Sequence, residues 1–173
     1  QGFRMKETTD RSDSYDAGSQ LFAGYGMVEQ SLTKNLRFIG GARVESFHQE
    51  LNSFKVLSTI PVVLDTTTID VLPSAHLIFA LSDSTNLRAS ISKTVARPNF
   101  RELAPFSFFD FFLFAGVDGN PDLKRTKILN ADLRFETYRR GSQYFAASVF
   151  YKKFDNPIEQ FYNNAQGAGT RNF

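Results

Sequence analysis

Between Asn86 and Val95 the chain alternates. Leu87, Ala89, Ile91 and Val95 fall on one side, and Arg88, Ser90, Ser92 and Thr94 on the other. A period of two over this length predicts a β-strand with one apolar and one wet face. The pattern stops at Arg97-Pro98, where proline removes a ladder donor and fixes the backbone. The same alternation predicts five more strands, over Gln20–Gln30, Leu36–Phe47, Asp70–Leu81, Ile128–Tyr138 and Tyr144–Phe154. In the first, Gly24 and Gly26 share one face and Tyr25 and Met27 the other; in the second, Ile39 interrupts an otherwise polar face. No helix-period segment of useful length is present.

The six strands form three hairpins. Short polar turns near 31–35, 82–85 and 139–142 all fall at one end of the up-and-down order. Longer connections at 48–69, 98–122 and beyond 155 fall at the other. The first of these holds an apolar patch, Ile60–Leu64, with room for a short strand. The second ends in turn chemistry, Gly116–Pro121. Residues 1–19 read as a polar loop or disordered lead-in, and Gly167-Ala168-Gly169 as a bend.

Short turns on one rim and long loops on the other are the asymmetry of an outer-membrane barrel. A soluble sandwich also alternates, with less reason to keep its long loops together. A sheet in a bilayer must close, and bacterial barrels start at about 8 strands. The expected fold is therefore all-β: an antiparallel up-and-down transmembrane β-barrel segment of about six strands, part of a larger barrel.

Composition narrows the chemistry. At 173 residues the chain is long enough for one ordinary domain with its own core. Twenty basic against 18 acidic residues gives a net charge of +2, which does not argue for nucleic acid. Cysteine is absent, which removes disulfides, thiolate metal sites and thiol nucleophiles. The two histidines, His48 and His76, are far apart, so no metal site, cofactor or catalytic cluster is expected. The outlier is phenylalanine, at 19 residues, in a chain whose mean hydropathy is only −0.28. No apolar run reaches the roughly 18 residues of a membrane helix, and no signal-peptide core is in view. A membrane strand needs only about 9–11 alternating residues.

Lys93 lies on the apolar face of the 86–95 strand, where a midplane lysine costs about 2–4 kcal/mol. Either it snorkels upward or a bulge shifts the register near it. The 98–122 loop carries Phe100, Phe106, Phe108, Phe109, Phe111, Phe112 and Phe114. These rings either receive a ligand at the mouth of the barrel or pack the loop onto its neighbours. Tyr138 and Tyr144, flanking a turn, are expected in the interfacial aromatic belt. Arg88, Arg134, Asp132 and Glu136 point to the wet face, as a cross-strand charge ladder or a ligand path. His76, also on the wet face, reads as a hydrogen-bonded wall residue, and no motif pairs it with a serine nucleophile.

From Ser92 to Phe106, SKTVARPNFRELAPF, the chain resembles the β-barrel of TonB-dependent receptors, particularly Bacteroidetes-like ones. Three further stretches match in the same order: Val71-Leu72-Pro73-Ser74, Gly119–Lys124 and Phe150–Glu159. The resemblance covers about Tyr25 to Glu159. It implies a barrel of about 22 strands with a plugged lumen, importing siderophores, cobalamin or glycans across the outer membrane of a Gram-negative cell. It also implies energisation by the TonB complex through an N-terminal box, and in some cases a surface lipoprotein partner. Plug domain, TonB box and signal peptide are not seen in residues 1–173.

The resulting expectation is a non-enzymatic segment of barrel wall and outer mouth, with loop 98–122 outside. Phe108, Phe109, Phe111 and Phe112 are the candidate ligand-side residues. Arg97, Arg101 and Glu102 are the candidate loop-ordering residues, since charges beside a proline turn can pair and fix the loop base. Two alternatives stand. A soluble all-β ligand-binding domain predicts Phe135, Phe145 and Val149 buried within one chain, and a barrel-embedded hydrolase predicts dependence on His76. Cut from its barrel, the segment would expose raw strand edges and aggregate without detergent.

Overall fold

The computed structural model describes residues 14–54, 60–105, 107–112, 114–139, 143–162 and 170–172. The lead-in at 1–13, most of the turn at 139–142, the bend at 167–169 and Phe173 lie outside the described residues. Six long strands form one antiparallel sheet: β1 (Asp16–Ser31), β2 (Leu36–Phe54), β3 (Pro61–Ser82), β4 (Thr85–Ala96), β7 (Thr126–Arg139) and β8 (Gln143–Asp155). Between β4 and β7 come a one-turn helix, α1 (Phe100–Leu103), and two short strands, β5 (Ser107–Asp110) and β6 (Ala115–Asp118). A small second sheet joins β5 and β6 to β10 (Thr170–Asn172) and β9 (Phe161–Tyr162).

Every long strand pairs with its neighbour in sequence, β4 and β7 included. The register carries the alternation across the whole sheet. Val28, Gly40, Ala75, Ile91, Ala131 and Tyr151 form one cross-strand row, and Met27, Gly41, Ser74, Ser92, Asn130 and Lys152 form the next, on the opposite face. The first row belongs to the apolar face and the second to the wet one. Gly41 is required by a close approach: a Cβ there would lie 2.4 Å from the Gly26 carbonyl oxygen on β1.

The connection expected at 48–69 is mostly strand. β2 and β3 pair without interruption from Leu36↔Phe79 to Phe54↔Pro61. Apolar alternation fades there because the face that carries it on the rest of the sheet turns largely polar, with His48, Glu50 and Asn52 on β2 and Asp65 and Thr67 on β3. Polar pairs replace it: His48 Nδ1 lies 3.0 Å from Thr67 Oγ1, directly across the ladder, and Nε2 lies 2.7 Å from Glu50. The Thr66–Thr68 run is a strand former with no greasy signature.

Among the described residues the core is a small cluster under the loop, not the core of an ordinary domain. Among the described residues the buried apolar side chains are Leu51, Leu103, Ala104 and Val117. A single-layer sheet has nothing packed on its apolar face. Phe145 is 60% exposed and Val149 73%, which overturns the sandwich reading that needed them inside. The β4–β7 ladder runs unbroken from Thr85↔Thr137 to Ala96↔Thr126, so no bulge moves Lys93, and it stays on the apolar face with Ile91 and Val95. Tyr138 and Tyr144 also need correction. Their parity places them with Glu136 and Arg134 on the wet face, where the rings meet at 4.9 Å and Tyr144 hydrogen-bonds Arg134. They are not part of an outward belt.

Candidate functional site

The loop from Arg97 to Arg125 folds back over the wet face. It lands on a row of apolar residues: Ala17, Leu51 and Leu64 stand side by side on β1, β2 and β3. Leu103 of α1 caps them, with Phe100, Ala104 and Leu123 alongside. The helix is only one turn long, so its ends need partners. Asn99 caps it: its side chain accepts from the Glu102 amide at 3.0 Å, and the Glu102 carboxylate accepts from the Asn99 amide at 2.9 Å. This reciprocal pair is a capping box. The Glu102 carbonyl then accepts from Asn120 at 2.6 Å, tying the two legs of the loop together. At that crossing Gly119 has no room for a Cβ, which would sit 2.1 Å from the Ala104 carbonyl oxygen.

Arg97 locks the base. Its Nη2 donates to Glu45 Oε2 and Asp70 Oδ2, both at 2.8 Å, and its guanidinium lies 4.7 Å from the Phe47 ring centroid. Glu45 and Asp70 are direct cross-strand partners and both are buried. Two buried carboxylates side by side repel unless cations share them. Arg125 takes Asp70 Oδ1 at 2.7 Å from the far end of the loop, and Arg43 takes Glu45 Oε1 at 2.7 Å. Three arginines and two carboxylates thus clamp both ends of the loop to β2 and β3. Beneath it lies a cleft of about 350 Å³ lined by Phe47, Gln49, Thr66, Thr68, Arg97 and Arg125, among others. Two donors of its lining, Thr68 Oγ1 and Arg97 Nε, are buried without a hydrogen-bond partner among the described residues.

A second ionic group lies lower on the same face. Arg88 and Arg134 are direct partners across β4 and β7, and buried Glu136 bridges them at 2.6 and 3.3 Å. Asp132, expected in this ladder, forms no ion pair among the described residues. His76, Ser90 and Asp132 fall on one row of the sheet, but Ser90 lies between the other two and no hydrogen bond joins them among the described residues. A hydrolytic base must touch both nucleophile and orienting acid, which this order prevents.

Of the singled-out residues, Arg97 sits in the clamp, Glu102 in the capping box, and Arg101 on the exposed side of α1. Phe111 and Phe112 sit exposed in the β5–β6 turn, Phe112 at 99%. Phe108 and Phe109 lie on β5, across from Val117 and Gly116; their side chains lie outside the described residues. The clamp partners Glu45, Asp70 and Arg125 were not anticipated. Their signal was present as wet-face charges near strand ends, but partners 27 to 55 residues away can be matched only once register is known.

A one-layer antiparallel wall, greasy on one side and ion-paired on the other with a loop folded over the ionic side, defines a membrane β-barrel wall. Residues 3–173 match the model of the TonB dependent receptor-like β-barrel family, and the chain belongs to that family. Among solved structures, the siderophore receptor PirA from Pseudomonas aeruginosa is similar, with a TM-score of 0.52 and 14% identity over 90% of this chain. That likeness is one of fold. The chain covers 37% of the PirA chain, so it spans well under half of the receptor it matches. No curated protein matches the sequence.

Proposed function

We propose that the chain forms part of the wall and outer mouth of a TonB-dependent uptake receptor in the outer membrane of a Gram-negative cell. The observation that carries this reading is the inward-folded loop, clamped at both ends by Arg97 and Arg125 above an ionic wall, while the opposite face is bare and apolar. In this reading the loop narrows the channel mouth, and Arg97, Arg101 and Glu102 keep its base ordered. The rings of Phe108, Phe109, Phe111 and Phe112 offer the ligand an aromatic surface. The substrate is a scarce, oxygen-rich molecule of the siderophore, cobalamin or glycan class. A surface lipoprotein serves as lid over the loop.

The test uses the full-length gene product. It should fractionate with the outer membrane, migrate as a heat-modifiable barrel, and take up one labelled member of a siderophore, cobalamin and oligosaccharide panel only when TonB is present. A soluble, detergent-independent monomer overturns the reading, as does TonB-independent uptake.

A further inference from the structure

The outward face carries a feature that barrel and loop leave unexplained. Lys93, Leu129 and Lys153 form one cross-strand row on the apolar face, and Lys127 stands between Val95 and Asp155 in the next row up. All three lysines are exposed, and among the described residues none is in an ion pair. Below them the same face is apolar through Ile91, Ala131 and Tyr151 to Leu87, Phe135 and Phe145. The lysines therefore stand at the upper margin of the greasy band, with Lys93 set into it beneath Val95.

The wall opens at this point. The β3–β4 ladder ends at Ser74↔Ser92, although both strands continue. Pro73, next along β3, has no amide hydrogen to extend it. The strands diverge around a cleft of about 290 Å³, whose lining includes Ile69, Val71, Val95, Lys93, Lys127 and Lys153. Asp70, Thr94 and Arg125 also line it, while on the outward side its cations outnumber the one carboxylate, Asp155, and Ile69, Val71 and Val95 supply an aliphatic rim.

We propose that this cleft binds the phosphate-bearing headgroup of an outer-leaflet glycolipid, with the three lysines on the phosphate and an acyl chain along Ile69, Val71 and Val95. The inference rests on the outer-membrane reading given above. Lysines at a membrane surface attract anionic lipid by roughly equal increments, and these three, on adjacent strands, line one cleft. The aliphatic rim of exposed Ile69 and Val71 and half-buried Val95 beside the lysines favours a lipid over a free anion.

The test uses the full-length receptor in nanodiscs and native mass spectrometry, with diphosphorylated lipid A as the probe. One lipid A per barrel is expected to remain bound. The K93Q/K127Q/K153Q variant should bind it about a hundredfold more weakly, with unchanged heat-modifiability. Dephosphorylated lipid A should lose binding to a similar degree, and excess inorganic phosphate should not displace the lipid. Equal retention by the triple variant, or equal binding of the dephosphorylated lipid, overturns the proposal and leaves lysines that snorkel to water. Displacement by inorganic phosphate overturns it in favour of a free-anion site. If the wild-type product is not a heat-modifiable outer-membrane barrel, the functional reading fails first. If it is such a barrel and the lipid result is negative, only the glycolipid site fails.

Discussion

Replacing Arg97 by alanine tests the loop clamp directly. In the native chain one Arg97 nitrogen serves Glu45 and Asp70 at 2.8 Å each, and these carboxylates are adjacent and almost wholly buried. Removing one partner of a buried ionic group costs about 3–5 kcal/mol, because the remaining charges lose their compensation. Arg43 and Arg125 each still hold one oxygen, which places the loss at the lower end, about 3 kcal/mol. Loss of the guanidinium contact with Phe47 is included in that figure. The assay has two parts on the full-length receptor in detergent: the temperature of the heat-modifiability transition, and limited proteolysis between Pro98 and Arg125. R97A should lower the first and open the second. Adding D70N should return part of the loss, because it removes one of the two facing negative charges. R97K should rescue only partly: an ammonium can sit between the two carboxylates as Nη2 does, but it lacks the planar guanidinium that lies over the Phe47 ring. An R97A receptor with native transition and native protease resistance would refute the clamp.

Three further outcomes follow from the geometry. Gly119→Ala forces a Cβ against the Ala104 carbonyl, so loop protease sensitivity should rise with a loss of about 1–3 kcal/mol, and native protease resistance in this variant would refute the close crossing. Glu136→Gln leaves Arg88 and Arg134 face to face; the barrel transition should fall by an amount equivalent to about 1–3 kcal/mol and recover in part as salt is raised. Changing Phe111 and Phe112 to serine should leave heat-modifiability intact and weaken ligand binding at least tenfold, measured by titration with whichever labelled substrate the uptake panel identifies; unchanged binding removes these rings from the ligand surface.

The wall was readable from sequence because β4, β7 and β8 each present apolar residues at every second position inside the membrane. Where that solvent ends, the signal ends. Beyond Phe47 on β2 and below Asp70 on β3 the outward face turns largely polar, and pairs such as His48 and Thr67 that carry no hydrophobic period stand there instead. The loop site was legible in part. Arg97 and Glu102 stood out by their position beside Pro98, whereas Glu45, Asp70 and Arg125 become neighbours only through the register. Leu51 and Leu64 were a usable clue, being apolar residues on wet-face parity, which mark where the loop lands. The tyrosine pair shows the opposite error. Proximity to a turn suggested a belt, but side-chain parity, which decides inward or outward, put the rings inside.

The order of the strands has a bearing on how the wall is built. Because every long strand lies beside its predecessor, the sheet can grow by adding one hairpin at a time to an existing edge. The slow junction is β4 to β7, where roughly thirty residues must close, about 2 kcal/mol costlier in chain entropy than a three-residue turn. The loop carries its own means of shortening that search. A capped helical turn and the β5–β6 hairpin form from local sequence, and Arg97, already emerging from β4, can engage Glu45 and Asp70 before β7 arrives. A clamp that holds the mouth of the finished channel would then also time the insertion of its later strands.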